Sequence, residues 1–164
     1  MFAAANDSGI FIFDFVERRG GLDKIKHRIT KNHQAIFVEK SHKSLDILEQ
    51  QVAEYFDKKR QNFELKFQFS GTAFQQSVFE KLVAIPFGKT ISYLQLANEM
   101  NKPLAIRAIA TANGENCLAI IVPCHRVVAS NGSLTGYSGG IAAKKYLIEL
   151  EQNASDVLQQ SAFF

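Results

Sequence analysis

Hydrophobic and polar positions alternate most regularly in NFELKFQFS, residues 62–70, where Phe63, Leu65, Phe67 and Phe69 face Glu64, Lys66, Gln68 and Ser70. A period of two is that of a half-buried strand. FIFDFV (11–16), after the turn signal Asp7-Ser8-Gly9, and AIFV (35–38) predict two further strands. From Ser44 as N-cap, Leu45, Leu48, Val52 and Tyr55 recur at steps of three and four, predicting an amphipathic helix that the charged DKKR ends. The first seventy residues thus read as mixed α/β, with helices over one face of a small sheet.

After Gly71 the pattern changes to helices joined by short glycine and proline turns. TAFQ (72–75) has the form of a capping box and opens a helix on which Phe74, Val78 and Leu82 lie four apart, ended by Pro86 and Gly88. SYLQ (92–95) is a second box, opening SYLQLANEM. Pro103 fits the first position of a third helix, LAIRAIATAN, with Gly114 just past its end. Two short helices joined by a tight turn suggest helix-turn-helix geometry. On the third helix Ile106, Ile109 and Asn113 share one side, Ala105, Ala108, Thr111 and Ala112 the opposite one, and Arg107 sits between. That small-residue face fits either close helix packing, with Arg107 a solvated charge, or a helix slim enough to enter a nucleic-acid groove, with Arg107 reaching in.

At 164 residues and 46% apolar content the chain can bury a core as one or two domains. No run of eighteen apolar residues occurs, and MFAAANDSG turns polar after five residues. Neither a membrane span nor a signal peptide is expected, and the location is expected to be cytoplasmic. Cys117 and Cys124 are then expected to be free thiols in a reducing compartment. A formal net charge of +3 permits contact with a polyanion without demanding it. There is no internal repeat or low-complexity tract.

Cys124 stands beside His125 in IVPCHRVV, at the end of an apolar run. A free cysteine is only a few per cent thiolate at neutral pH, so an adjacent base is what a cysteine nucleophile needs. A chance pair at the end of a buried strand is the plainer alternative. Glu151 is the candidate third group: Leu147 and Leu150 mark the packed side of the last helix, Glu151 points the same way, and Glu149 points outward. A carboxylate on the core side requires a partner. The loop NGSLTGYSGG (131–140) carries four glycines, and a hairpin turn at Asn131-Gly132 leaves Gly136, Gly139 and Gly140 unexplained; such a backbone can approach a ligand closely. Metal chemistry is poorly supported. A zinc deaminase needs P-C-x-x-C, and Val127 stands where its second cysteine belongs, while His27, His33 and His42 are scattered among lysines and read as surface residues.

PCHRV (123–127), with GTAFQQ, IPFGKTISY, IRAIATANGEN and GYSGG, resembles the O6-alkylguanine-DNA alkyltransferase family, the methylated-DNA-protein-cysteine methyltransferases. The likeness runs almost continuously from Gly71 to about Glu151. Before that it is confined chiefly to FVERR and EYFDKKRQNFEL, and MFAAA is shorter than the family's usual first strand. The resemblance implies an α/β, ribonuclease H-like domain with an antiparallel sheet over 1–70, then a mostly helical, winged helix-turn-helix-like domain over 71–164 that binds DNA and accepts the alkyl group.

The resemblance further implies a DNA-repair transferase: a monomer acting on double-stranded DNA, with no cofactor and no metal, that moves an alkyl group from O6-alkylguanine, and from O4-alkylthymine, to its own cysteine once. Cys124 is the implied acceptor. His125 deprotonates it through a bridging water, Glu151 holds the imidazole, and Asn116 braces the turn into the site. Tyr93 gives its hydroxyl proton to guanine N3, the backbone N–H of Ser138, beside Gly139, contacts O6, and the carbonyls of Cys124 and Val127 accept from the exocyclic amine. Arg107 fills the stack when the base is flipped, with Ala108 and Thr111 against the minor groove. Cys117 matches no required thiol and reads as buried and inert. Two rivals stand beside this reading: a lesion-recognition protein of alkyltransferase type, which lacks the acceptor cysteine, and a Cys-His hydrolase, which turns over repeatedly.

Overall fold

In the computed structural model, which describes residues 1–18, 20–33 and 36–161, the chain opens with an antiparallel hairpin of β1 (Phe2–Asn6) and β2 (Gly9–Asp14). Asn6 Oδ1 accepts from Ser8 N at 2.9 Å and sets the turn. A Cβ at Gly9, whose φ is +130°, would lie 2.4 Å from the carbonyl oxygen of Lys66. Only glycine lets the later chain come alongside. There Ile10 N donates to Lys66 O at 2.9 Å, and Gln68 N donates to Ile10 O at 2.8 Å. Farther along β2, Phe13 N donates to Cys117 O at 2.8 Å and its carbonyl accepts from Ala119 N at 2.7 Å. One strand therefore holds two distant segments in place.

Helix α1 (Leu22–His33), an addition to the elements expected from the pattern, buries Ile25 and Ile29 against Ala4, Ile12 and Cys117. Two expected strands are not strands. Ile36 and Val38 are exposed and lie in no strand, and Ala35 lies outside the described residues, as does the side chain of His33. In residues 62–70 the alternation holds as burial up to Phe69, with Phe63, Leu65, Phe67 and Phe69 half-buried and Glu64, Lys66 and Gln68 exposed, but Ser70, expected on the outer side, is buried. The backbone there is extended but finds its partners singly. Gln51 donates to Glu64 O at 2.9 Å and accepts from Glu64 N at 2.8 Å, leaving Ile10 as the only ladder contact among the described residues. Helix α2 (Lys43–Phe56) starts two residues earlier than expected, because the ring of His42, not Ser44, caps it and accepts from Ser44 N.

Both capping boxes form. Thr72 and Gln75 open α3 (Ala73–Val83), and after the short β3 (Ile91–Ser92), Ser92 and Gln95 open α4 (Tyr93–Glu99). Pro103 starts a 3-10 turn, Pro103–Ala105, that runs into α5 (Ile106–Gly114). Gly114 is the last residue of that helix rather than the one past its end, and Glu115 takes the cap. The short β4 (Val127–Val128) pairs in parallel with β3, and α6 (Gly140–Ser161) closes the chain. Among the described residues the protein is thus α/β, with six α-helices and a small antiparallel sheet. No described helix is long and apolar enough to cross a membrane.

The main core joins the two parts of the chain: Ile10, Phe13, Leu48 and Tyr55 pack in one cluster with Val78, Leu82, Leu96, Ile109, Val122 and Leu147. Each such side chain contributes about 1.5–3 kcal/mol by leaving water. Residues 116–128 are buried throughout, with Ile120 held at φ +71°, a backbone conformation a β-branched residue adopts only when its surroundings force it.

Candidate active site

Cys124 opens a 3-10 turn, Cys124–Arg126, directly after Pro123. Its thiol is 2% exposed and accepts from Asn116 Nδ2 at 3.1 Å. The same amide donates to Val122 O at 2.9 Å and accepts from Leu118 N at 3.0 Å, so Asn116 ties the turn before the cysteine to the sulfur itself. Burial pushes the Cys124 thiol up to about 11, against the pull of the Asn116 hydrogen bond. The resting group is a neutral thiol.

His125, fully buried, places Nε2 2.8 Å from Glu151 Oε1. Burial lowers its basicity more than the Glu151 carboxylate raises it, so the imidazole is neutral. A neutral ring facing a carboxylate through Nε2 carries its proton there, which leaves Nδ1 as the basic nitrogen. Nδ1 is buried and hydrogen-bonds to no described residue.

Glu151, 1% exposed, is held by more than the histidine. It accepts from Arg126 Nε and Nη2 at 2.9 Å, from the Tyr55 hydroxyl at 2.8 Å and from Gly88 N at 3.1 Å. Burial alone would raise its pKa, but the hydrogen bonds and charges of His125 and Arg126 win and hold the carboxyl at about 2. Arg126 also donates to Ile85 O and lies over the Phe87 ring. The carboxylate is charged at neutral pH, and His125, Arg126, Tyr55 and Gly88 fix its position.

The Tyr93 hydroxyl, at the start of α4, accepts from Asn113 Nδ2 at 3.2 Å, and burial pushes its pKa up to about 12. Tyr93, Ala110 and Gly114 form one wall of a pocket of about 260 Å³ whose other wall is the loop Thr135, Gly136, Tyr137 and Ser138. That loop is pinned. Lys144, fully buried on α6, donates to Thr135 O at 2.8 Å and to Val127 O at 2.7 Å, and burial lowers its pKa to about 8. A Cβ at Gly139 would meet the Phe15 ring at 2.5 Å, so the loop seats on an aromatic pair, Phe15 edge-on to Tyr137. Ser138 is half-buried, and its side chain helps to counter the rise that burial imposes on the Asp14 carboxyl. Asp14 pairs with Arg18, which donates to Gly114 O at 3.0 Å and so fastens the end of α5 to β2.

Arg107, Ala108 and Thr111 form the exposed face of α5. Ala112 and Ala105 do not share it: Ala112 is 2% exposed beside Ile109 and Asn113, and Ala105 packs half-buried against the core. Ala112 follows the buried Ile109 by three residues and so turns toward the core, and Ala105 belongs to the 3-10 turn before the helix rather than to α5. Cys117 is buried, donates to Phe11 O at 3.4 Å, and has its thiol pushed up to about 11 by burial. His27 is exposed, His42 is an N-cap, and no described cluster of histidine, cysteine and carboxylate could hold a metal.

A thiol nucleophile, a histidine base and a buried carboxylate on facing elements, beside a pocket, define a cysteine-dependent group-transfer or hydrolytic site. The model of the 6-O-methylguanine DNA methyltransferase DNA-binding domain matches residues 73–153. The inducible methylated-DNA-protein-cysteine methyltransferase of Bacillus subtilis (strain 168) is 48% identical over 105 residues, 64% of this chain and 59% of that protein. A Methanosarcina barkeri protein of the same name is 47% identical over 103 residues, 63% of this chain and 65% of that protein. The aligned part of the chain thus spans about three fifths of the length of these relatives. The structure of Mycobacterium tuberculosis OGT in complex with DNA superposes with a TM-score of 0.75 at 33% identity, covering 93% of this chain and 86% of that one. The O6-methylguanine-DNA methyltransferase of Pyrococcus kodakaraensis superposes with a TM-score of 0.57 at 26% identity, covering 92% and 96%. The chain belongs to the methylated-DNA-protein-cysteine methyltransferase family.

Proposed function

We propose that the protein repairs DNA by moving an alkyl group, such as methyl, from O6-alkylguanine in a duplex to Cys124, once per molecule, and that it accepts O4-alkylthymine as well. The observation that carries this reading is the succession Asn116–Cys124 and His125–Glu151, two hydrogen-bonded pairs meeting at one buried turn. With its thiol at about 11, Cys124 is ionised in only about one molecule in ten thousand at pH 7. Transfer therefore needs a base. His125 Nδ1 takes the thiol proton through a bridging water while Glu151 stabilises the imidazolium that forms.

The sulfur attacks the alkyl carbon, the carbon–O6 bond breaks, and its electron pair passes into the purine. Tyr93 gives its proton to N3, the backbone N–H of Ser138 meets O6, and the carbonyls of Cys124 and Val127 accept from the exocyclic amine. The Val127 carbonyl already accepts from Lys144, and the Cys124 carbonyl from Asn113 and from Val127 N, so both oxygens are held in place before the base arrives. The thioether left on the protein has no leaving group that this site can expel, so a hydrolase cycle does not follow.

DNA enters the proposal through α5. Residues 1–70 form the N-terminal domain and 71–164 the DNA-binding one, in which α4, the turn and α5 make a helix-turn-helix, with β3 and β4 beside it. The Mycobacterium relative was solved bound to DNA. Here Arg107 enters the stack as the damaged nucleotide is flipped into the pocket, while Ala108 and Thr111 lie against the minor groove and Gly139 lets the loop close on the base. The working form is a cytoplasmic monomer that uses no cofactor. Titration with duplex carrying one O6-methylguanine tests the reading: repair should stop at one equivalent of lesion per protein, and repair in catalytic excess would overturn it.

A further inference from the structure

Asn113 shares a side of α5 with Ile106 and Ile109, and it is 3% exposed. Its Nδ2 lies 3.2 Å from the Tyr93 hydroxyl and 3.4 Å from the carbonyl oxygen of Cys124. The second contact fixes the orientation of the amide. A carbonyl oxygen only accepts, so the Asn113 atom facing it is the nitrogen; the reversed amide would set two oxygens against each other. The same NH2 group then presents its other hydrogen to Tyr93, whose oxygen accepts it. Asn113 Oδ1 is buried and has no hydrogen-bond partner among the described residues, so the hydrogen bonding of this side chain is concentrated on its nitrogen.

We propose that Asn113 is a positioning residue for proton transfer to the departing base: by donating to the Tyr93 oxygen it leaves the single Tyr93 proton free to point at the purine. The inference rests on the reading of Tyr93 as the acid. As the sulfur–carbon bond forms and the carbon–O6 bond breaks, N3 takes the Tyr93 proton and the tyrosinate recovers one from solvent, replacing the proton that the thiol gave up. An acceptor in place of Asn113 would instead capture the hydroxyl proton and hold it away from N3. The amide also spans the acid and the nucleophile, so both move with α5. The hydrogen bond to the tyrosine oxygen further favours its anion, opposing the burial that raises its pKa.

The test is single-turnover transfer from free O6-benzylguanine, which needs no duplex, in a cycle of Asn113→Ala and Tyr93→Phe, with thermal melts to establish folding. Asn113→Ala should slow transfer about tenfold when Tyr93 is present and clearly less when Phe is there, where only its hold on the Cys124 carbonyl is lost, since one directed proton transfer contributes about this much or more. Asn113→Asp keeps the shape but only accepts, and should be slower than Asn113→Ala. Equal losses from Asn113→Ala in both backgrounds, or an Asn113→Asp variant as fast as the unaltered protein, would overturn the inference while leaving Tyr93 as the acid. Should Tyr93→Phe alone react at full rate, the acid reading falls and the inference with it.

Discussion

Replacing Glu151 with glutamine keeps the shape of the side chain and removes the charge on which His125, Arg126 and Tyr55 converge. The carboxyl sits at about 2 against 4.5 for a free glutamate, which corresponds to about 3 kcal/mol of stabilisation of the folded state. Leaving Arg126 buried opposite an amide is costly on the same scale, about 3–5 kcal/mol. The folded pKa is depressed, so the stabilisation is complete above pH 4.5 and disappears as the pH falls toward 2. Urea unfolding should therefore show Glu151→Gln less stable by about 3 kcal/mol at pH 7, with the gap closing in acid. Activity has the opposite dependence. At pH 7 the variant should transfer from O6-benzylguanine at least tenfold more slowly, and the deficit should shrink as the pH approaches the thiol value of about 11, where Cys124 ionises unaided. A stability gap that does not change with pH, or a rate deficit equal at every pH, would refute the relay and leave Glu151 a packing residue.

Arg107→Ala should slow repair of duplex by about tenfold or more, because flipping a base costs a few kcal/mol, while reaction with the free base is almost unchanged; a parallel loss in both would show that Arg107 supports the fold instead. Gly139→Ala places a methyl group 2.5 Å from the Phe15 ring, and should lower stability by about 1–3 kcal/mol in urea unfolding and slow both reactions by displacing the loop; wild-type behaviour in both would show that the loop does not seat on Phe15.

What the sequence disclosed follows from how local each signal is. The Thr72 and Ser92 caps are each decided within four residues, and both formed. The orientation of Glu151 could be read from Leu147 because both lie on one helix. Arg126 stands inside the motif, but its two bonds to Glu151 depend on a helix 25 residues away. Tyr55 fitted its own helix as an apolar position, and nothing near it announces that its hydroxyl reaches a carboxylate 96 residues on. Lys144 and the Asp14–Arg18 pair are likewise polar groups whose partners lie on other elements. The failed strand in residues 62–70 shows the converse: a period of two fixes which side chains face the core, not whether a neighbouring edge supplies the ladder. Leu22, Ile25 and Ile29 carried a helical spacing for α1 that the surrounding lysines obscured.

The central claim, that Cys124 is consumed as the acceptor, is tested most directly by the intact mass of the protein after incubation with duplex carrying O6-methylguanine, followed by peptide mapping. The mass should rise by one methyl group, located on Cys124, with the same gain in Cys117→Ser and none in Cys124→Ala. An unchanged mass while the lesion disappears, or a methyl group found on Cys117, would contradict the account.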